Sequence, residues 1–219
     1  MHNKVLFVFA HMDDETILSY GAIRYFKDKN YDVHILTFCG NGRKDSQDLR
    51  RKDSYEKILK SLNVTYNLYY HVDLNINKTL CQQQFERCLK EYQPTIVITH
   101  SCSDLHFEHK MLGEMSLLVC RKTQTSSVKQ LLHIQSVVSN WSYNCYKQFN
   151  PNYFIDITNY MQDKCNALKM YSMEIPNDSN DLRSIDSITA HHFVNGSIIN
   201  VKYAEAYEQI FRIENEISN

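Results

Sequence analysis

The stretch FVFAHMDDE, Phe7–Glu15, runs an apolar segment directly into one histidine and three acids, with a single methionine between them. Lys4 to Ala10 is a short β-branched and aromatic run, the pattern of a buried strand. A chain that sets His11, Asp13, Asp14 and Glu15 at the end of such a strand gathers ionisable groups where an α/β sheet meets its ligands.

Outward from this strand the chain alternates. Ile17, Leu18, Ala22, Tyr25 and Phe26 recur at helical spacing until DKN, Asp28–Asn30, interrupts them. Val33 to Phe38 is a second strand, followed by the glycine-bearing loop CGNGRKD. Leu49, Tyr55, Ile58, Leu59 and Leu62 mark a second helix, and Tyr66 to Tyr70 a third strand. Leu80, Phe85, Leu89 and Tyr92 mark a third helix, stopped at Pro94, and TIVIT, Thr95–Thr99, is a fourth strand. This alternation predicts a doubly wound α/β fold, a mostly parallel sheet with helices on both faces. In the order 3-2-1-4 the first and fourth strands adjoin at the topological switch point, so their carboxyl ends share one crevice. Strand one delivers His11, Asp13 and Asp14 to it; strand four delivers His100, Asp104, His106 and His109. The usual dinucleotide of that crevice needs GxGxxG after strand one, and no glycine occurs between Met1 and Tyr20, which disfavours a nicotinamide or flavin cofactor.

Beyond Lys122 the alternation weakens. Leu131–Val138 and Tyr153–Ile157 read as strands, Tyr160–Tyr171 and Val201–Ile213 as helices, and Ile175–Asp186 as a surface loop. Asn195-Gly196, just after His191 and His192, is a turn signal. Residues 1–219 are read as one domain whose C-terminal third walls the site.

With a formal net charge of −1, the chain has no global field to draw in nucleic acid or an anionic membrane. Its longest apolar run, Val5–Ala10, is far short of the roughly 20 residues of a membrane span, and no secretory leader pattern is visible. A soluble, cytoplasmic protein is expected. Seven cysteines, an odd number without a CxxC pair, argue against a disulfide framework. Cys81 and Cys88, two helical turns apart, read as buried small hydrophobes, and Cys102 has no neighbouring thiol for a redox role.

Imidazoles and carboxylates gathered in one dry pocket suit a catalytic divalent metal. Hydrolytic zinc takes three nitrogen or oxygen ligands from the protein and leaves its fourth position to water. His11 and Asp14 are close enough on one turn to share an ion, with the third ligand supplied by the loop after strand four. Asp13 and Asp14, adjacent in a turn, should diverge, so that one binds the metal and the other acts as general base. The competing reading, that these acids cap the first helix, suits one of the three. If His109 is the third ligand, His106 stays off the metal and, protonated, stabilises an oxyanion or gives a proton to a leaving amine. Asp104 or Glu108 would raise that histidine's pKa by pairing with it. The same ligands accept Fe2+ and other divalent ions.

AHMDDE together with THSCSDLHFEHK resembles the zinc-dependent N-deacetylases of the PIG-L/LmbE family, whose first motif is AHPDDE and whose second ends in HxDH. The resemblance extends over LTFCGNG, LRRKDSYEKILKSLN, FNPNYFIDITNYMQDKCNALKMY and the closing YAEAY, most of the chain. It implies a Rossmann-like fold, Zn2+ on His11, Asp14 and His109, Asp13 as general base and His106 as the residue stabilising the tetrahedral intermediate. It also implies removal of acetyl from an N-acetylglucosamine-type sugar. Met12 stands where the family has proline, Glu108 where its second motif has Asp, Ser54 where it usually has Glu, and HHFVNGS where many members have arginine before the glycine.

Lesser candidates surround these. Asp104, Glu108, Arg51, His191 and His192 are expected to contact substrate or to stand behind the ligands. Arg43, Lys44, Arg50 and Arg51 would suit a phosphate on a nucleotide-linked or lipid-linked sugar, Arg51 foremost, although a charge run is usually a solvated face, and Trp141 reads as core rather than as a sugar-stacking platform. The expected partner is a small N-acetylated sugar or sugar nucleotide, with homo-oligomerisation left open. Metal-assisted phosphoester hydrolysis, which often needs two metals, and a non-catalytic sugar-binding protein are the competing readings.

Overall fold

A computed structural model describes residues 3–39, 46–71, 73–121, 127–137, 148–172, 174–176 and 178–214. Arg43, Lys44, Val138 and Trp141, singled out in the sequence, lie outside the described residues.

Seven strands form one sheet: β1 (Lys4–His11), β2 (Asp32–Cys39), β3 (Thr65–Leu68), β4 (Ile96–His100), β5 (Gln130–Ile134), β6 (Tyr153–Asp156) and β7 (Ala204–Arg212), in the order β3-β2-β1-β4-β5-β7-β6. The first five in that order pair in parallel; β7 runs antiparallel to both β5 and β6. Among the described residues six α-helices accompany them: α1 (Asp14–Asp28), α2 (Ser46–Ser61), α3 (Lys78–Tyr92), α4 (Phe107–Val119), α5 (Met161–Leu168) and α6 (Ile185–Ile198). This is the mostly parallel α/β architecture expected from the alternation.

Strand pleating divides β1 between two cores. Val5, Phe7 and Phe9 join Leu18, Ile23, Phe26, Tyr55 and Leu59 from α1 and α2, while Leu6, Val8 and Ala10 join Phe85, Leu89, Leu112 and Met115 from α3 and α4. Both faces being covered, β1 has no polar side until it ends at His11. Cys81 and Cys88 are buried in the second core as expected. Among the described residues no helix is long and apolar enough to cross a membrane.

Two expectations need correction. Val201–Ile213 is not a helix: Ala204–Arg212 is strand β7. Its apolar residues Tyr203, Tyr207 and Ile210 are spaced as on a helix, yet the segment is wedged between β5 and β6, and pairing with both neighbours overrides the local pattern. Asn195-Gly196 is not a turn but lies inside α6. Gly196 is there because a Cβ would come within 2.7 Å of the Val201 carbonyl oxygen, so the chain leaving α6 folds back against it.

β7 also reaches into α1. The helix is broken at Ser19 (φ −137°, ψ 16°), which frees two backbone donors, and the Glu205 carboxylate accepts from Gly21 N–H at 2.9 Å and Ala22 N–H at 2.8 Å. Lys164 on α5 pairs with it at 2.8 Å and the Tyr207 hydroxyl donates at 2.9 Å, all without solvent exposure. Gly21 permits the approach, since a Cβ there would fall 2.3 Å from Ile157 Cγ2. Removing one member of a buried ion pair costs about 3–5 kcal/mol. Lys164→Met should therefore lower unfolding free energy by about 3 kcal/mol, the low end of that range because three donors stay on Glu205. Urea unfolding monitored by circular dichroism checks it; a loss below about 1 kcal/mol would show that the lysine contributes little.

Candidate active site

The register β1 to β4 aligns Val8 with Thr99, so the two strands end side by side and the polar clusters 90 residues apart meet. Ala10 N–H donates to His100 Nε2 at 3.0 Å and Thr99 Oγ1 donates to the Val8 carbonyl at 2.9 Å, fixing that junction.

Asp14, the first residue of α1, turns inward and is buried. Its carboxylate lies 3.4 Å from His11 Nδ1, 3.4 Å from His109 Nε2 and 3.3 Å from His100 Nε2, and it accepts the His11 backbone N–H at 2.8 Å. His11 Nδ1 and His109 Nε2 thus lie 3.2 Å apart, and each lies 3.4 Å from an Asp14 oxygen, Oδ2 for His11 and Oδ1 for His109. A tetrahedral ion with bonds of about 2.0–2.1 Å sets its donors about 3.3–3.4 Å apart, so these residues fit such an ion. Donors of His11, His106 and His109, and of Asp14, His100 and His109, also lie within 4.8 Å of one another.

The electrostatics agree with that fit. Burial opposes charge on His11, but hydrogen bonds to Asp14 and Glu108 and the Asp14 charge outweigh it and push its pKa up to about 9. Burial likewise opposes charge on His109, and Asp14 and Asp104 outweigh it, to about 10. Asp14 is held well below the usual carboxylate range, His109 and His100 overcoming its burial. A pocket that holds protons on two touching imidazoles is one that attracts positive charge, which a divalent cation also brings.

Two further carboxylates stand behind the imidazoles. Asp104, 2% exposed, accepts from His109 Nδ1 at 3.2 Å and from the backbone N–H groups of His106 and Ser136 at 2.8 Å each. Glu108 meets His11 Nε2 at 2.6 Å and accepts Leu74 N–H at 3.2 Å. Carboxylates on the remote nitrogen fix ring orientation and raise ligand basicity. Neither pairs with the His106 ring, which corrects the expectation of a His106 charged by such a partner. His106 is exposed, 4.8 Å from the His11 ring and 4.4 Å from that of His109. Burial of its inner side and the His109 and His11 charges lower its pKa, so it is a neutral ring.

Asp13 diverges from Asp14. Its Oδ2 accepts from Arg51 Nη2 at 2.6 Å, and Arg51 Nε also donates to the Met12 carbonyl. Burial raises the Asp13 carboxyl and the Arg51 charge pulls it back, to about 6. The Asp13 side chain makes no helix-capping bond; Glu15 reaches back to the Asp13 N–H instead, at 2.9 Å. Arg51, expected to contact substrate or to stand behind the ligands, pairs with Asp13.

His191 and His192 are not brought to the cluster. They line a cavity of about 450 Å³ between α1, α6 and the end of β5, with Ile17, Gln135, Phe149 and Ile198. Burial pushes His191 down to about 4 and holds His192 well below the ordinary histidine value, Lys164's charge adding to both. His100 was given no role by sequence reasoning, yet it stacks on His109 at 3.9 Å and touches Asp14. Its place as the last residue of β4 was the available signal.

The fold is shared with solved structures of low identity. N,N'-diacetylchitobiose deacetylase from Pyrococcus horikoshii, bound to its inhibitor, superposes with a TM-score of 0.77 at 18% identity, over 95% of this chain and 84% of that one. A zinc-inhibited form of a teicoplanin deacetylase gives 0.77 at 13% identity, over 98% and 100%. The 4-carboxy-2-hydroxymuconate hydratase of Pseudomonas putida KT2440 gives 0.70 at 15%, over 99% and 100%, so the architecture alone does not select a reaction. No curated protein sequence matches the chain significantly. Selection comes from the residues at the strand ends: residues 6–120, the span that supplies every donor of the cluster, match PIG-L, GlcNAc-PI de-N-acetylase, and the chain belongs to that family.

Proposed function

We propose that this chain is a divalent-metal hydrolase, using zinc in first place and Fe2+ as the alternative, that removes the N-acetyl group from an N-acetylglucosamine-type amino sugar. The observation that carries the reading is the division of labour at one turn: Asp14 faces three imidazoles while Asp13 faces none of them and sits against Arg51. His11, Asp14 and His109 would hold the ion, which supplies Lewis acidity, acidifying water and polarising a carbonyl.

Asp13 takes the proton of the attacking water as its oxygen bonds to the acetamide carbon. The neutral His106 ring, exposed at the mouth of the cluster, donates N–H to the developing oxyanion. Protonated Asp13 then passes its proton to the sugar nitrogen as the C–N bond breaks, leaving acetate and a free amine. Asp104 and Glu108 orient His109 and His11 throughout. The same reading takes residues 1–219 as one catalytic domain, acting in the cytoplasm on a small free or nucleotide-linked sugar.

The test is acetate release by zinc-loaded protein across free, nucleotide-linked and lipid-linked N-acetylamino sugars. Acetate from one class supports the reading and names the substrate; none from any, with the metal bound, overturns it. Arg51→Met adds a check on the base. The base must be ionised to act, and Arg51 lowers the Asp13 pKa, so its loss raises that pKa. The acid limb of kcat/KM should therefore move to higher pH in the variant; an unmoved limb would assign it to another group.

A further inference from the structure

Asp13 occupies a backbone conformation that residues with a Cβ rarely adopt, φ 131° and ψ −28°. This lies well past the left-handed helical well near φ +57°, in territory that favours glycine. Strain of this kind persists only where the surroundings over-determine the residue. Three contacts do so. The Asp13 carbonyl accepts the N–H groups of Thr16 and Ile17 at 2.9 and 2.8 Å, the opening bonds of α1. The Asp13 side chain is held by Arg51. Its own N–H, which the odd φ aims back into the helix, ends on Glu15 Oε2 at 2.9 Å.

Glu15 has no access to solvent and cannot touch a substrate. Its other oxygen accepts from Thr16 Oγ1 at 2.6 Å and from the Tyr171 hydroxyl at 2.8 Å. Tyr171 is 1% exposed and closes the 3-10 turn Lys169–Tyr171 after α5. The far part of the chain therefore props the carboxylate that props the strained residue.

We infer that Glu15, seated on Tyr171, is a positioning residue: it anchors the Asp13 N–H so that the strained backbone keeps the Asp13 carboxylate on Arg51 rather than on the imidazoles, in place to act as base. This rests on the reading of Asp13 as the base. It differs from simple helix capping in what it predicts. A cap affects stability; an anchor of this kind affects turnover in folded, metal-loaded protein. Glutamine is the conservative replacement, because its carbonyl accepts the Asp13 N–H while its amide donates to the Thr16 and Tyr171 hydroxyls, which rotate to accept.

The experiment compares E15L and E15Q with wild type for bound metal, kcat, KM and Tm. In E15L, metal content should stay at the wild-type level, kcat should fall about 10–100-fold and KM should change less than about twofold, the signature of a misplaced reacting group. E15Q should recover kcat to within about threefold of wild type. Lowered Tm with wild-type kcat in both variants would reduce Glu15 to a cap and overturn the inference. If E15L does not fold, Y171F carries the same test, with kcat about threefold down at constant KM.

A second arm needs no turnover. D13G and D13A both remove the carboxylate, but only glycine relieves φ 131°. D13G should exceed D13A in Tm by roughly 2–4 °C, and this margin should vanish in the E15L background, where nothing aims the N–H. An equal margin in both backgrounds overturns the anchor, whereas absence of acetate release from wild type would sink the deacetylase reading and leave this arm to judge Glu15.

Discussion

Asp13→Asn is expected to keep its full complement of metal and to lose about 10²–10⁴ in kcat, the usual contribution of a positioned general base. The substitution is nearly isosteric. Asparagine tolerates positive φ about as well as aspartate and its carbonyl oxygen still accepts from Arg51, so neither the strained turn nor the ion-pair geometry has a steric reason to change. What disappears is the capacity to accept a proton and give it up again. Among the described carboxylates of the cluster none is placed to substitute: Asp14 and Glu108 face imidazoles, Asp104 accepts from His109 Nδ1 and two backbone N–H groups, and Glu15 is sealed beneath the turn. Acetate release at saturating substrate with metal content measured on the same sample checks it. Near-normal turnover would move the base elsewhere and with it the proposed mechanism.

Asp14→Ala is expected to abolish activity by a different route, through loss of the ion. Outer carboxylates that merely orient a ligand cost 10–100-fold in metal affinity when removed, so deleting a donor that faces three imidazoles should cost more than about 100-fold. Alanine also leaves the buried His11 N–H without its 2.8 Å acceptor and removes the charge that favours protonated or metallated His11 and His109. Titration with zinc against a competing chelator reads the affinity directly. The two aspartates are thus separable, one variant metal-replete and slow, the other metal-poor. A D14A protein that binds zinc as tightly as wild type would exclude Asp14 from the ligand set.

Much of this arrangement was legible in the chain. From β1 to β4 the apolar periods switch between strand and helix, most cleanly at the buried strands β1 and β4, and the rule that parallel strands present ligands at their carboxyl ends brought Asp14 and His109 together across the sequence. Legibility failed where tertiary pairing outweighs local pattern. Tyr203, Tyr207 and Ile210 are spaced as on a helix, but Ala204–Arg212 is held as β7 by two neighbouring strands, and Asn195-Gly196 mimics a turn but serves a close approach inside α6. α4 begins within the His-rich motif itself, and no separate helix was read there. The placement of Arg51 on Asp13, and of Tyr171 under Glu15, depends on contacts between distant segments that no local period encodes.

The carboxylate of Glu205 that completes α1 across 184 residues of chain has a consequence for biosynthesis. During vectorial synthesis at 5–20 residues per second, the second half of α1 waits roughly 10–40 s for its cap to emerge. The helix that carries Asp14 is therefore secured only once β7 has been made, and a nascent chain stalled before β7 would present Asp14, the proposed metal ligand, on an unfinished helix. Enzymatic competence should appear only after β7 has left the ribosome, which makes that strand the timing element for the chemistry proposed at β1 and α1.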